Sequence, residues 1–137
     1  MTLTYTLSEL SEVADKILKT AQHRTLLFYG EMGVGKTTLI KELVKQLGYE
    51  GVVSSPTFSL VNEYEAKQGA LIYHFDFYRI DDENEALDIG IDEYFDSGNY
   101  SFIEWPQKIK NLIPKNSTYI YLRKESPTHR TISLEQA

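Results

Sequence analysis

The segment Gly30-Glu31-Met32-Gly33-Val34-Gly35-Lys36-Thr37 fits the pattern G-x-x-x-x-G-K-[ST], whose residue types suit the gripping of phosphate. Phosphate oxygens need hydrogen-bond donors at close range, and a glycine-rich loop offers backbone N–H groups there. Gly33 and Gly35 leave room for the backbone to approach and to take dihedrals that other residues avoid. A helix N-terminus behind the loop adds partial positive charge. Lys36 is expected to reach the β- and γ-phosphates, the Thr37 hydroxyl a Mg²⁺ ion, and Thr38 the α-phosphate. Gly33, Val34, Gly35, Lys36, Thr37 and Thr38 together form the candidate nucleotide-binding set. No acidic motif for reading guanine stands out, which favours ATP.

A phosphate loop alone does not hydrolyse a nucleotide. Magnesium needs a carboxylate near the end of a strand beside the loop strand. Two segments compete, and each ends an apolar run in an acid: Leu71 to Phe77 carries Asp76, and Tyr100 to Trp105 carries Glu104. Glu104 has the cleaner pattern, because it closes its strand and is followed by Trp105-Pro106. Asp76 could bind the metal through water or orient the attacking water. Thr57 lies in a polar turn downstream and could sense the γ-phosphate, as switch-loop threonines do. Trp105 could cover the site, stack on a base or dock a partner. His74, in mid-strand, reads as a structural histidine.

These side chains need a frame. The run 25–29 (Thr-Leu-Leu-Phe-Tyr) is a buried strand leading into the loop. Leu39, Ile40, Leu43, Val44 and Leu47 then give a helix over about 36–47, stopped by Gly48. Upstream, residues 2–6 predict an edge strand. Residues 8–21 predict a helix with Leu10, Val13, Ala14, Ile17, Leu18 and Ala21 on one face, and Thr6 and Glu9 have capping-box spacing. Downstream, 59–65 and 71–77 predict an antiparallel hairpin turning at 67–69. Short helices follow over 81–89, capped by Asp81 or Asp82, and over 92–96. The strand 100–104 precedes a helix that opens at Pro106 and ends before Pro114. Residues 118–123 and 130–134 close with a hairpin. The pattern predicts one α/β domain over residues 1–137, a P-loop NTPase fold with a mixed parallel and antiparallel sheet flanked by helices.

Composition narrows the function classes. The chain has 137 residues, 42% of them hydrophobic, which is enough for one core. It lacks cysteine, so disulfide, zinc–thiolate and thiol-nucleophile chemistry are excluded. No apolar stretch approaches a membrane span and the first residues lack a secretory pattern, so a soluble cytoplasmic protein is expected. A net charge of −6 argues against tight stand-alone binding to a nucleic-acid backbone. Asp81, Asp82, Glu83, Glu85, Asp88, Asp92, Glu93 and Asp96 form an acidic run with no base. Lys108, Lys110, Lys115, Arg123, Lys124 and Arg130 are interrupted by a single acid, Glu125. Such runs serve as solvated faces or as docking surfaces for protein partners.

Four segments, Gly30 to Thr38, Ser55-Pro56-Thr57-Phe58, His74-Phe75-Asp76-Phe77-Tyr78-Arg79 and Ile103-Glu104-Trp105-Pro106, resemble in order and spacing the TsaE family, the YjeE-type bacterial ATPases. The first motif is common to many NTPases; the last three together are much more specific. The resemblance implies ATP binding and hydrolysis in support of TsaD and TsaB, which make threonylcarbamoyladenosine beside the anticodon of tRNA. The TsaE-like protein would reset the complex between turnovers, and the partners would hold the tRNA. The resemblance further implies phosphate and Mg²⁺ roles for Lys36 and Thr37, the second metal role for Glu104, and a role essential to hydrolysis for Asp76. Thr57 and Trp105 would be switch or site-flanking residues, and Arg130 would approach the nucleotide.

Two other readings compete. A small P-loop kinase acting on a nucleoside or another small molecule needs an acceptor site and usually an arginine-bearing lid. No basic lid segment is evident, since Arg24, Arg79, Arg123 and Arg130 are isolated. A binding module would hold nucleotide without turnover. No arginine finger or general base is fixed near the γ-phosphate by the sequence, so slow hydrolysis by the chain alone is expected.

Overall fold

The computed structural model describes residues 1–54, 56 and 59–136. Among these, seven strands form one sheet in the order β1-β7-β6-β2-β5-β4-β3. They are β1 (Thr2–Thr6), β2 (Thr25–Tyr29), β3 (Val61–Glu65), β4 (Leu71–Asp76), β5 (Tyr100–Glu104), β6 (Thr118–Lys124) and β7 (His129–Gln136). The middle is parallel: β2 lies between β5 and β6, and β4 runs beside β5. Both margins are antiparallel, with β3 on β4 and with β7 and β1 beyond β6. This is the expected mixed α/β sheet. The C-terminal ends of β2, β4 and β5 meet at one edge, where open α/β sheets place their ligand crevices.

Central position explains the composition of β2. Thr25, Leu26, Leu27 and Phe28 are all buried, because helices or loops cover both faces of a central parallel strand. On one face, Leu26 and Phe28 join Phe102, Ile120 and Ile132 beneath the helices α1 (Leu10–Thr20) and α2 (Lys36–Gln46). On the other, Leu27 and Ile103 pack with Phe75, Phe77, Ile80, Ala86, Ile91 and Ile109. That layer includes the short helices α3 (Asn84–Asp88) and α4 (Ile91–Asp96). The Asp82 carboxylate accepts the Asn84 N–H at 2.8 Å just ahead of α3, but the N-cap position falls on Glu83, which makes no side-chain cap bond, so neither Asp81 nor Asp82 is the cap.

Helix α2 ends as Gly48 predicts. Gly48, at φ 105°, donates to the Lys45 carbonyl and Tyr49 donates to Val44, the paired bonds of a Schellman stop. The first helix differs at its start. Residues 7–9 form a 3-10 turn, and the Glu9 carboxylate accepts the Thr6 N–H at 2.9 Å before α1 begins at Leu10.

Other boundaries also depart from the sequence pattern: the helix expected over 81–89 is confined to Asn84–Asp88, and the last strand is longer than 130–134, running His129–Gln136. The strand expected from residue 59 starts at Val61, because Leu60 is left-handed at φ 64°. The segment after Pro106 is a 3-10 helix to Leu112 rather than an α-helix, broken at Ile109 (φ −123°). Ile109 is fully buried, and its anchoring in the second core layer takes precedence over regular α geometry.

Candidate functional site

The phosphate loop leaves β2 through Gly30, at φ 153°. A Cβ on Gly30 would stand 2.8 Å from Val34 Cγ1 and 2.9 Å from the Leu122 carbonyl oxygen, so only glycine fits without displacing the loop. Gly35, at φ 109°, turns the chain into the first residue of α2. Lys36 and Thr37 therefore stand at the start of a helix, with the backbone amides of the loop before them.

Behind the loop lies a cleft of about 680 Å³, large enough for a nucleotide's phosphates and more. Gly33, Gly35, Lys36, Thr37 and Thr38 line it together with Asp76, Glu104 and Trp105. The two candidate acids are brought together, since Asp76 and Glu104 are register partners across β4 and β5. Glu104 is also the register partner of Phe28, two residues before the loop. It is only 3% exposed, and both its oxygens accept from the Thr37 hydroxyl, at 2.8 and 2.9 Å. His74 Nε2 stands 2.7 Å from Glu104 Oε2.

Lys36 is 4% exposed. Its ammonium donates to the Gly30 carbonyl and lies 3.6 Å from the centroid of the Trp105 ring. Burial pushes the amine's pKa down, against the carboxylates of Glu104 and Asp76 that hold it up. Trp105 takes the left-handed region, φ 59° and ψ 49°, which costs a residue with a Cβ about 1 kcal/mol or more. That backbone carries the indole over Lys36 and within 5.0 Å of the Tyr78 ring.

Burial also pushes the Asp76 carboxyl up. The Tyr78 amide, 3.0 Å from Oδ1, pulls it down, and the Glu104 charge adds to the rise. A raised pKa means that the fold penalises the ionised form. The penalty is full above the raised value and vanishes below the ordinary carboxylate range, where folded and unfolded chains are both protonated. Asp76→Asn is therefore expected to raise the thermal midpoint at pH 7, with the gain disappearing near pH 3. Melting curves at the two pH values check this, and a lower midpoint for the variant at pH 7 would contradict it.

Arg130 sits apart from this cleft. Its Nε donates to the Val34 carbonyl at 3.0 Å and its Nη1 to Ser126, so it braces the loop backbone from the flank. It borders a second cavity of about 530 Å³ with Tyr5, Leu7, Val34 and Thr38. The two cavities share Gly33, Gly35 and Thr38, so they meet at the loop. Thr57 lies outside the described residues. Arg79 was legible as part of a motif but not as a site residue, and it is exposed and lines the first cleft. Its spacing of three from Asp76, on the connection leaving β4, was the available signal. The mid-strand position marks His74 only as structural, and its contact with Glu104 has no sequence signature.

Fold and motif define a phosphate-loop α/β domain. A sequence model for the family described as "Threonylcarbamoyl adenosine biosynthesis protein TsaE" matches residues 4–132, and the chain belongs to the TsaE family. The tRNA threonylcarbamoyladenosine biosynthesis protein TsaE of Haemophilus influenzae is 38% identical over 104 residues, covering 74% of this chain and 65% of that one. Its namesake in Bacillus subtilis is 37% identical over 109 residues, covering 79% and 66%. The matched segments thus span just under two thirds of those relatives' lengths. The crystal structure of YdiB from Bacillus subtilis superposes with a TM-score of 0.72 at 25% identity, over 98% of this chain and 84% of that one.

Proposed function

We propose that this chain binds and hydrolyses Mg²⁺-ATP as the TsaE component of tRNA threonylcarbamoyladenosine synthesis, supporting the turnover of TsaD-like and TsaB-like proteins in the cytoplasm. The tRNA is reached through those partners, consistent with the net charge of −6. Among the described residues no helix is long and apolar enough to cross a membrane.

One observation carries the reading: the loop residues Lys36 and Thr37 share a cleft with Glu104, and the Thr37 hydroxyl is already bonded to that carboxylate. The pair suits magnesium. Both offer oxygen, and among the described residues no cluster of three His, Cys, Asp or Glu side chains forms a closed metal cage. Magnesium commonly takes one or two protein oxygens and completes its shell with phosphates and water. Bound beside Thr37 and Glu104, it would neutralise charge on the β- and γ-phosphates. Lys36 leaves the Gly30 carbonyl for the β- and γ-phosphates, and the amides of Gly33, Val34 and Gly35 cradle them. Thr38 takes the α-phosphate, Asp76 orients the attacking water, and Trp105 closes over the phosphate end of the site. Thr57 senses the γ-phosphate, and Arg130 fixes the phosphate loop where nucleotide approaches.

Among the described residues the Asp76 carboxylate accepts one backbone amide and Arg79 is exposed, so the group that completes catalysis is expected from a partner or from a loop that a partner orders. Phosphate release from ATP, measured with the chain alone and then with TsaB-like and TsaD-like proteins, tests this. Slow turnover alone and a rise of tenfold or more with partners is expected, since supplied arginines change such rates by about 10³–10⁵. Fast turnover alone, or phosphate transfer to a small acceptor, would contradict it.

A further inference from the structure

His74 is an anomaly in the core. It lies mid-strand in β4, fully buried, on the same face as Ile72, where an apolar side chain would continue the pattern. Burying an imidazole beside a carboxylate removes two polar groups from water, which is costly unless each is hydrogen-bonded. His74 pairs in register with Phe102, so Glu104 is its diagonal neighbour on β5. His74 Nε2 stands 2.7 Å from Glu104 Oε2, and a carboxylate oxygen there accepts from the tautomer that carries its proton on Nε2. The other ring nitrogen, Nδ1, has no hydrogen-bond partner among the described residues, and it is then a lone pair rather than an orphaned N–H.

We propose that His74 is a positioning residue: its Nε2–H locks the Glu104 carboxylate in the orientation that meets the Thr37 hydroxyl and the metal. A glutamate carries three side-chain torsions, and the Thr37 hydroxyl alone, shared between both oxygens, does not fix the plane of the carboxylate. His74 adds a second contact to Oε2, from a residue within strand β4. Groups one shell behind a metal ligand commonly govern metal affinity by about 10–100-fold. The inference rests on the magnesium site proposed above.

The test compares ATP affinity with magnesium and with EDTA, using the whole chain as wild type, His74→Leu and His74→Gln. The leucine removes the donor, whereas the glutamine carries an amide N–H to about the same reach. His74→Leu is expected to cut the magnesium-dependent gain in affinity about tenfold or more while metal-free affinity stays near wild type, and His74→Gln to restore most of the gain. A folded His74→Leu with the full gain, or a glutamine variant no better than leucine, overturns the proposal. If the leucine variant does not fold, the ¹⁵N imidazole spectrum of the wild-type chain decides. A proton on Nε2 whose signal moves in Glu104→Gln supports the lock, and a proton on Nδ1 overturns it. A wild-type chain with no magnesium-dependent gain sinks the site reading itself, whereas an unchanged gain in His74→Leu sinks only the role of His74.

Discussion

Lys36→Ala should bind ATP about a hundredfold more weakly than the wild-type chain while staying folded. Hydrogen bonds between an ammonium and phosphate contribute about 1.5–3 kcal/mol each, and two such bonds, partly offset by those given up, leave about 3 kcal/mol, or two powers of ten. The partners given up are the Gly30 carbonyl and the face of Trp105. Stability should change little. Burial holds the amine's pKa below its ordinary value, so the charge opposes folding at neutral pH and is no loss when removed. The lost cation–π contact works the other way, at about 0.5–2 kcal/mol. Calorimetric titration beside a melting curve checks both halves. Near-wild-type affinity in a folded variant would remove Lys36 from the site.

Glu104→Ala has the second-largest expected effect, and it should depend on metal. With magnesium, ATP affinity is expected to fall at least tenfold. With EDTA it should fall little, because the Lys36 ammonium and the loop amides grip phosphate without the ion. The substitution also strands the Thr37 hydroxyl and, in the tautomer proposed above, His74 Nε2–H, which share one buried carboxylate. An unsatisfied buried donor costs about 1–3 kcal/mol, so the thermal midpoint should drop too. Glu104→Gln keeps an acceptor and the shape, and separates the two effects: its midpoint should recover further than its magnesium dependence. Equal losses of affinity with and without metal would take Glu104 out of the coordination shell.

The loop was legible in the sequence because its chemistry is contiguous. Eight adjacent residues carry the donors, the lysine and the hydroxyl, and the strand and helix that present them are the immediate neighbours in the chain. Asp76 and Glu104 were legible as acids at strand ends, but their relation was not. That Asp76 stands opposite Glu104, and Glu104 opposite Phe28, follows from the order β2-β5-β4. Strand order is set by which apolar faces pack together, not by any local signal.

The same holds for contacts distant along the chain. The bond from Arg130 to the Val34 carbonyl spans 96 residues, and the contact of His74 with Glu104 spans 30. Alternation marks His74 as facing the core and cannot say what it meets there. Local geometry failed where tertiary anchoring outweighed propensity. Pro106 suits the first turn of any helix, yet the burial of Ile109 draws the segment into 3-10 geometry. The left-handed backbone of Trp105 has no sequence marker, although it is what sets the indole over Lys36.

Calorimetric titration of ATP into the purified chain, with and without magnesium, tests the central claim most directly. The geometry of Lys36, Thr37 and Glu104 predicts saturable binding that magnesium strengthens. No heat of binding from ATP, or from any other nucleoside triphosphate in the presence of magnesium, would contradict it.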